Sequence, residues 1–164
     1  MGEREYSMQL LIRKARSEEA AALHALAVRS KAVWGYDASF MALAAPKLAL
    51  EADWFAAGRV LAAEADGTAA GVAVVLPPDA EGVAELDHLF VAPTFLRRGI
   101  GAALLEAAVV MVRSDGARAL RALADPQARP FYERQGFRWL GDAPSDAIPG
   151  RMLPLMLRDL GGGG

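Results

Sequence analysis

Apolar positions along the chain alternate between two rhythms, short strand-like runs and stretches at helical spacing. Residues 10–12, Leu-Leu-Ile, make the first short run and predict a strand. Leu23, Leu26, Ala27, Ser30, Val33 and Trp34 then recur at helical spacing and predict a helix to about Lys31. Ser17 is placed to cap it, with Glu18 and Glu19 set favourably against the helix dipole. Gly35 interrupts the pattern, and Asp37 can cap a second helix through Phe40, Met41 and Leu43.

Three strand-like runs follow. Residues 59–65 end at Asp66-Gly67, a hairpin signal because both residues tolerate positive φ, and 69–76 return. Pro77-Pro78 stops the second run, 79–82 turn the chain, and 83–91 form the third, a pattern that fits an antiparallel meander. After Pro93 a helix starts near Gly99. From Ile100 to Val112 its only charge is Glu106, which predicts burial of most of its surface. Residues 118–123 read as a strand, 127–135 as a short helix, 137–140 and 151–157 as strands, with Pro154 predicting an edge strand or a bulge. The order β-α-α-β-β-β-α-β-α-β-β describes an α+β sheet sandwiched by helices.

Composition narrows the chemistry. The 164 residues fit one domain, read as residues 1–160 followed by a flexible glycine tail at 161–164. Hydrophobic residues at 54% against 23% charged exclude a disordered chain. A net charge of -2 argues against a grip on nucleic acid. The absence of cysteine excludes disulfides, thiolate zinc sites and a cysteine nucleophile, and with only His24 and His88 no metal site is expected. Met1-Gly-Glu-Arg-Glu-Tyr-Ser is too charged for a secretory signal, and Tyr6 spoils a myristoylation motif at Gly2. The apolar stretch 99–112 is too short to span a bilayer, so no membrane partner and a cytoplasmic location are expected.

The informative segment runs Leu89-Phe-Val-Ala-Pro-Thr-Phe-Leu-Arg-Arg-Gly-Ile-Gly-Ala-Ala-Leu-Leu. A strand stops at a proline, a loop carries two arginines, and Gly99-Ile100-Gly101 opens a helix. Free backbone N–H groups and the positive end of the helix dipole make this an anion site. A dinucleotide fingerprint would need glycine where Leu104 stands, and a Walker A loop would need Gly-Lys-Ser/Thr. The plain alternative is that the two glycines only start a helix against a neighbouring strand.

Two motifs together decide the matter. Val91-Ala92-Pro93 followed by Gly99-Ile100-Gly101, and then Phe131-Tyr132-Glu133-Arg134-Gln135-Gly136-Phe137, resemble the pyrophosphate loop and the later aromatic motif of the GNAT superfamily of acyl-CoA-dependent N-acyltransferases. The resemblance runs from about Gln9 to Leu157. It implies a mixed, mostly antiparallel central sheet flanked by helices, and acetyl-CoA as the acyl donor without a metal. It places the pantetheine arm along Leu89, Phe90 and Val91, and the phosphates at Arg97, Arg98, Gly99, Ile100, Gly101 and Ala102. Two positions depart from the family. Leu96 stands where the loop usually has Gln or Arg, and Asp125 stands where Asn often meets the cofactor arm; an acid there can still cap a helix.

The resemblance makes Tyr132 the general acid, against the alternative of a core tyrosine. For the base, Glu85 matches a position some members use, while His88, Asp87 and a water chain stay open. Strand alternation puts Glu85 and Asp87 on one face and His88 on the other, unless a bulge changes the phase. The resemblance implies an acceptor region at Trp34, Tyr36 and Asp87, with Phe40 and Met41 nearby; the aromatics either shape a pocket or serve as core. Arg151 either binds a carboxylate on the acceptor or decorates a turn. The expected reaction is direct attack of a small-molecule primary amine on acetyl-CoA. Alternatives are a protein lysine or N-terminal amine as acceptor, and a non-catalytic acyl-CoA-binding regulatory module. Dimers are frequent in the family, so a homodimer is among the partners the resemblance implies.

Overall fold

The computed structural model describes residues 7–161. The readings of the first six residues and of the glycines at 162–164 lie outside the described residues. The elements are β1 (Leu10–Lys14), α1 (Ala20–Ala32), α2 (Ala38–Ala44), α3 (Ala52–Ala56), β2 (Val60–Ala65), β3 (Thr68–Leu76), β4 (Val83–Val91), α4 (Ile100–Ser114), β5 (Ala119–Leu123), α5 (Arg129–Arg134), β6 (Arg138–Pro144) and β7 (Met152–Asp159). The strands form one seven-stranded sheet in the order β1-β2-β3-β4-β5-β7-β6. Every neighbouring pair is antiparallel except β4 and β5. The α+β class and the meander β2-β3-β4 are as expected.

Two cores sandwich the sheet. The larger joins Ala73, Val75, Ala84 and Leu86 to Ile100, Leu104, Leu105, Ala108 and Val109 of α4, and to Tyr132 of α5. The smaller joins Val72 and Val74 to Leu23 and Leu26 of α1 and Phe55 of α3. Gly71 lets α4 settle onto β3. A Cβ there would lie 2.7 Å from Leu104 Cδ1 and 3.1 Å from the Phe90 carbonyl, too close for any other residue without a shift.

Several expectations need correction. Ser17 does not cap α1; it begins a short 3-10 turn over Ser17–Glu19, and the Glu19 carboxylate accepts from the Arg16 N–H at 2.8 Å. Helix α3 was not anticipated, because its five residues are too few for a periodic signal. Pro154 lies in neither an edge strand nor a bulge of its own, since β7 is interior to the sheet and β6 is the edge. Its position is tolerated because β5 ends at Leu123; the Pro154 carbonyl accepts from Ala124 N–H at 2.9 Å, and no further ladder donor is required on that side. The irregularity falls on β6, between Trp139 and Gly141. Asp37 does cap α2, accepting from Phe40 N–H at 2.8 Å.

Candidate active site

The site grows from a split in the sheet. β4 and β5 run parallel from Val83 opposite Ala119 to Leu86 opposite Ala122, and their pairing stops there. From Asp87 to Val91, β4 is held only by β3, so Leu89, Phe90 and Val91 lie along a free strand edge. Such an edge presents backbone donors and acceptors to an extended ligand.

The end of β4 leads into the phosphate-type loop. Arg97 and Gly99 both adopt positive φ, 63° and 78°, and Gly99 caps α4 from the left-handed region. No atom lies within 4 Å of where a Gly99 Cβ would stand, so the space above it is open. Backbone N–H groups from Arg97 through Ala102 have no acceptor among the described residues. Six consecutive main-chain donors at a fifteen-residue helix start suit a pyrophosphate. Arg97 and Arg98 are exposed around them, and Leu96 is exposed as well.

A bulge decides which side chains share the other side of the split. Val74 pairs with His88 and Val75 with Leu86, so Asp87 is the extra residue in β4. The phase therefore changes between Leu86, which faces the larger core, and His88, which packs edge-on to Trp54 and Phe90 on the smaller-core side. Glu85 sits opposite Leu76, a residue of the smaller-core side, and so faces the same way as His88. Strict alternation, which separated Glu85 from His88, is corrected by this extra residue.

Glu85, Leu86, Asp87 and His88 line a cavity of about 230 Å³ with Lys31, Leu48, Leu123, Ile148 and Arg151. Glu85 accepts from Arg121 Nε at 2.7 Å across the parallel pair. Burial pushes its carboxyl above the ordinary range, Arg121 opposes this, and the charges of Asp87 and Asp79 add to it. His88 is engaged at both ring nitrogens. Nε2 lies 3.0 Å from the Leu48 carbonyl, which can only accept, and Nδ1 lies 2.6 Å from Asp87 Oδ2. Neither nitrogen offers a free lone pair, so this geometry does not support His88 as a base; it holds Asp87 in place.

A second cluster adjoins the cavity. Asp125 Oδ1 accepts from Gln127 N–H at 2.9 Å, capping the turn before α5. Its Oδ2 accepts from the Tyr36 hydroxyl at 2.6 Å, from Lys31 Nζ at 3.3 Å and from Arg151 Nη2 at 3.4 Å. Burial works against the Asp125 charge, yet these donors hold its carboxyl below the ordinary range. Burial likewise lowers Lys31, with Asp125 opposing. Tyr36 stacks on Phe40 at 3.9 Å between ring centres, and Arg151 lies over both rings. Trp34 is exposed and does not line the cavity, which removes the ground for placing it at the acceptor. Lys31 and Arg121 were missed by sequence reasoning; neither belongs to a motif, and only the fold brings them to the split.

Tyr132 is buried, its ring edge-on to Phe131 and Phe137. Its hydroxyl makes no hydrogen bond among the described residues and, since no buried side-chain oxygen there lacks a partner, is accessible at its tip, while burial of the ring pushes the phenol far above its ordinary range. No group of three or more His, Asp or Glu among the described residues is arranged to hold a metal ion, and none of the described helices is long and apolar enough to cross a membrane.

The sequence profile of the acetyltransferase (GNAT) family matches residues 30–137. No curated protein matched the chain. Among solved structures, the PaiA N-acetyltransferase of Thermoplasma acidophilum in complex with coenzyme A superimposes with a TM-score of 0.76 at 21% identity, over 92% of this chain and 99% of that one. YncA of Salmonella typhimurium with acetyl-CoA gives 0.69 at 20% identity, over 95% and 96%. N-acetylglutamate synthase of Neisseria gonorrhoeae, complexed with coenzyme A and N-acetyl-glutamate, gives 0.66 at 23% identity, over 93% of this chain and 35% of that one. At these identities the likeness is one of fold, and it agrees with the profile over the segment that carries the loop and the split: the chain belongs to the acetyltransferase (GNAT) family.

Proposed function

We propose that the protein transfers the acetyl group of acetyl-CoA to a primary amine of a small molecule, by direct attack in a ternary complex. The observation that carries this reading is the split itself. It joins unpaired amides at the start of α4, a free edge on β4 and a cavity containing Glu85 into one continuous region. Acetyl-CoA, once bound, supplies an activated thioester.

The chain's own groups then have separate tasks. The amides of Arg97 to Ala102 and the two arginines bind phosphate oxygens, and the edge from Leu89 to Val91 takes the extended arm as an added strand. Glu85 removes the amine proton, directly or through water; its raised carboxyl is better matched to that task than an exposed one. Asp87, fixed by His88, borders the same cavity. Tyr132 stays protonated because burial opposes its ionisation, so it donates a hydrogen bond to the departing sulfur rather than surrendering its proton. The cavity volume, about 230 Å³, is enough for a small acceptor.

The test pairs two measurements. Thermal shift with acetyl-CoA should raise Tm, and free-thiol release over a panel of amines should find at least one acceptor. No shift at saturating acetyl-CoA sinks the reading. A shift without thiol release from any amine replaces it with an acyl-CoA-binding regulatory module.

A further inference from the structure

We infer that the acceptor carries a carboxylate beside its amine, as a free amino acid does, and that Lys31 and Arg151 bind it. This rests on the acetyl-transfer reading and specifies its substrate class. Lys31 and Arg151 both line the cavity that contains Glu85 and Asp87, and both turn toward the single carboxylate of Asp125. Two cations face one anion in this cluster, and Lys47 and Asp146, which also line the cavity, carry opposite charges, so the cluster keeps a formal excess of one positive charge to match one carboxylate.

Donor geometry points the same way. Arg151 uses only Nη2 within the protein, donating to the Tyr36 oxygen at 2.6 Å and to Asp125. Its Nε and Nη1 have no acceptor among the described residues, while no buried side-chain nitrogen or oxygen among those residues lacks a partner. Those unpaired guanidinium donors are therefore accessible, and Arg151 itself lines the cavity. Lys31 Nζ has three donors and spends one on Asp125.

Position is fixed from the other side. Tyr36 and Phe40 support the guanidinium from below, and the Tyr36 hydroxyl both accepts from Arg151 and donates to Asp125. A guanidinium held in this way presents its remaining N–H groups in a planar fork, the geometry a carboxylate accepts. Lys31 and Arg151 come from the end of α1 and the turn before β7, whereas Glu85 and Asp87 come from β4. Lys31 and Arg151 thus meet a carboxylate at one part of the lining, and Glu85 and Asp87 meet an ammonium at another, as a zwitterionic amine requires.

The decisive experiment does not depend on turnover. The CoA-bound protein is titrated calorimetrically with a panel of N-acetylamino acids, each matched with its carboxamide and with the N-acetyl derivative of the decarboxylated amine. The free acid of at least one series should bind about tenfold or more tightly than its two matched neutral forms, as expected for charge-assisted pairing. Arg151→Gln and Lys31→Gln should each weaken the acid about tenfold more than they weaken its carboxamide. Equal affinities of acid and carboxamide across the panel, or no binding by any acid, overturn the inference. So does tighter binding of N-acetyl-O-phosphoethanolamine, which would make the anion a phosphate. Preferential binding of the acid with no thiol release from any amine leaves the carboxylate site standing and sinks the acetyl-transfer reading instead.

Discussion

The two ends of the split between β4 and β5 are built from different material. At the α4 end the groups proposed to bind are main-chain amides of consecutive residues, shaped by a glycine at positive φ and a left-handed Arg97. At the cavity end they are side chains from α1, β4 and the turn before β7, with Arg121 of β5 paired to Glu85. A backbone site is specified by local conformation and tolerates changes of side chain. A side-chain site needs the whole fold to bring its members together, and each member is individually replaceable by evolution. One end suits a ligand shared across a family, and the other suits a ligand that differs from member to member.

Tyr132, the proposed donor to the departing sulfur, should give the largest effect. Tyr132→Phe removes one donor without changing the ring that packs between Phe131 and Phe137. We expect kcat to fall by roughly 10²–10³, the cost of deleting a donor aimed at developing negative charge. The KM for acetyl-CoA should stay within a few-fold. An unchanged kcat would return Tyr132 to the core and remove the chemical link between the ends.

Glu85→Gln tests the cavity end alone. The loss should be about 10² in kcat/KM. A base must be ionised, so activity rises with pH through the pKa of the group that acts. Because burial raises the Glu85 carboxyl, that rise should lie above the ordinary carboxylate range. In Glu85→Gln this acid limb should vanish from the pH profile. A limb that persists in Glu85→Gln and disappears in Asp87→Asn would move the base two residues along β4.

How far each end could be read from sequence follows from the same contrast. The loop from Leu89 to Ala102 is contiguous, so its strand-proline-glycine-helix order was visible, as were the meander and the long buried helix. The cavity was only partly visible. Glu85, Asp87 and Arg151 could be named, but the bulge at Asp87 inverted the expected faces, because one extra residue has no signature in an alternating pattern. Lys31 looked like the end of a helix, and Trp34 was placed at the acceptor because it follows the early helix, where the family's acceptor pocket usually lies. Asp125 was expected near the cofactor arm from its place beside a motif, whereas its side chain is engaged by Lys31, Tyr36 and Arg151. Charge partners separated by most of the chain leave no local trace.

Gly99→Val probes the backbone end by its conformation. A β-branched residue at φ 78° is strained by roughly 1–2 kcal/mol, and its side chain would occupy the open space above the amides. Expected is a rise of about tenfold or more in the KM for acetyl-CoA. The affinity for the acceptor, measured with CoA already bound, should move much less. Equal losses at both ends would show that the split opens and closes as one unit.

The smallest effect expected is a gain. Leu96 is 43% exposed, in an extended conformation that glutamine adopts equally well, so Leu96→Gln should cost little stability. It would restore a polar side chain at the loop position where the family usually has one. One additional neutral hydrogen bond is worth about 0.5–1.5 kcal/mol, which corresponds to a fall of roughly two- to tenfold in the Kd for acetyl-CoA by calorimetry. If the Kd does not move, the amides from Arg97 to Ala102 already satisfy the pyrophosphate. In that case the leucine is tolerated because a backbone site does not depend on the side chains around it, whereas a single glutamine at Glu85 should still disable the other end.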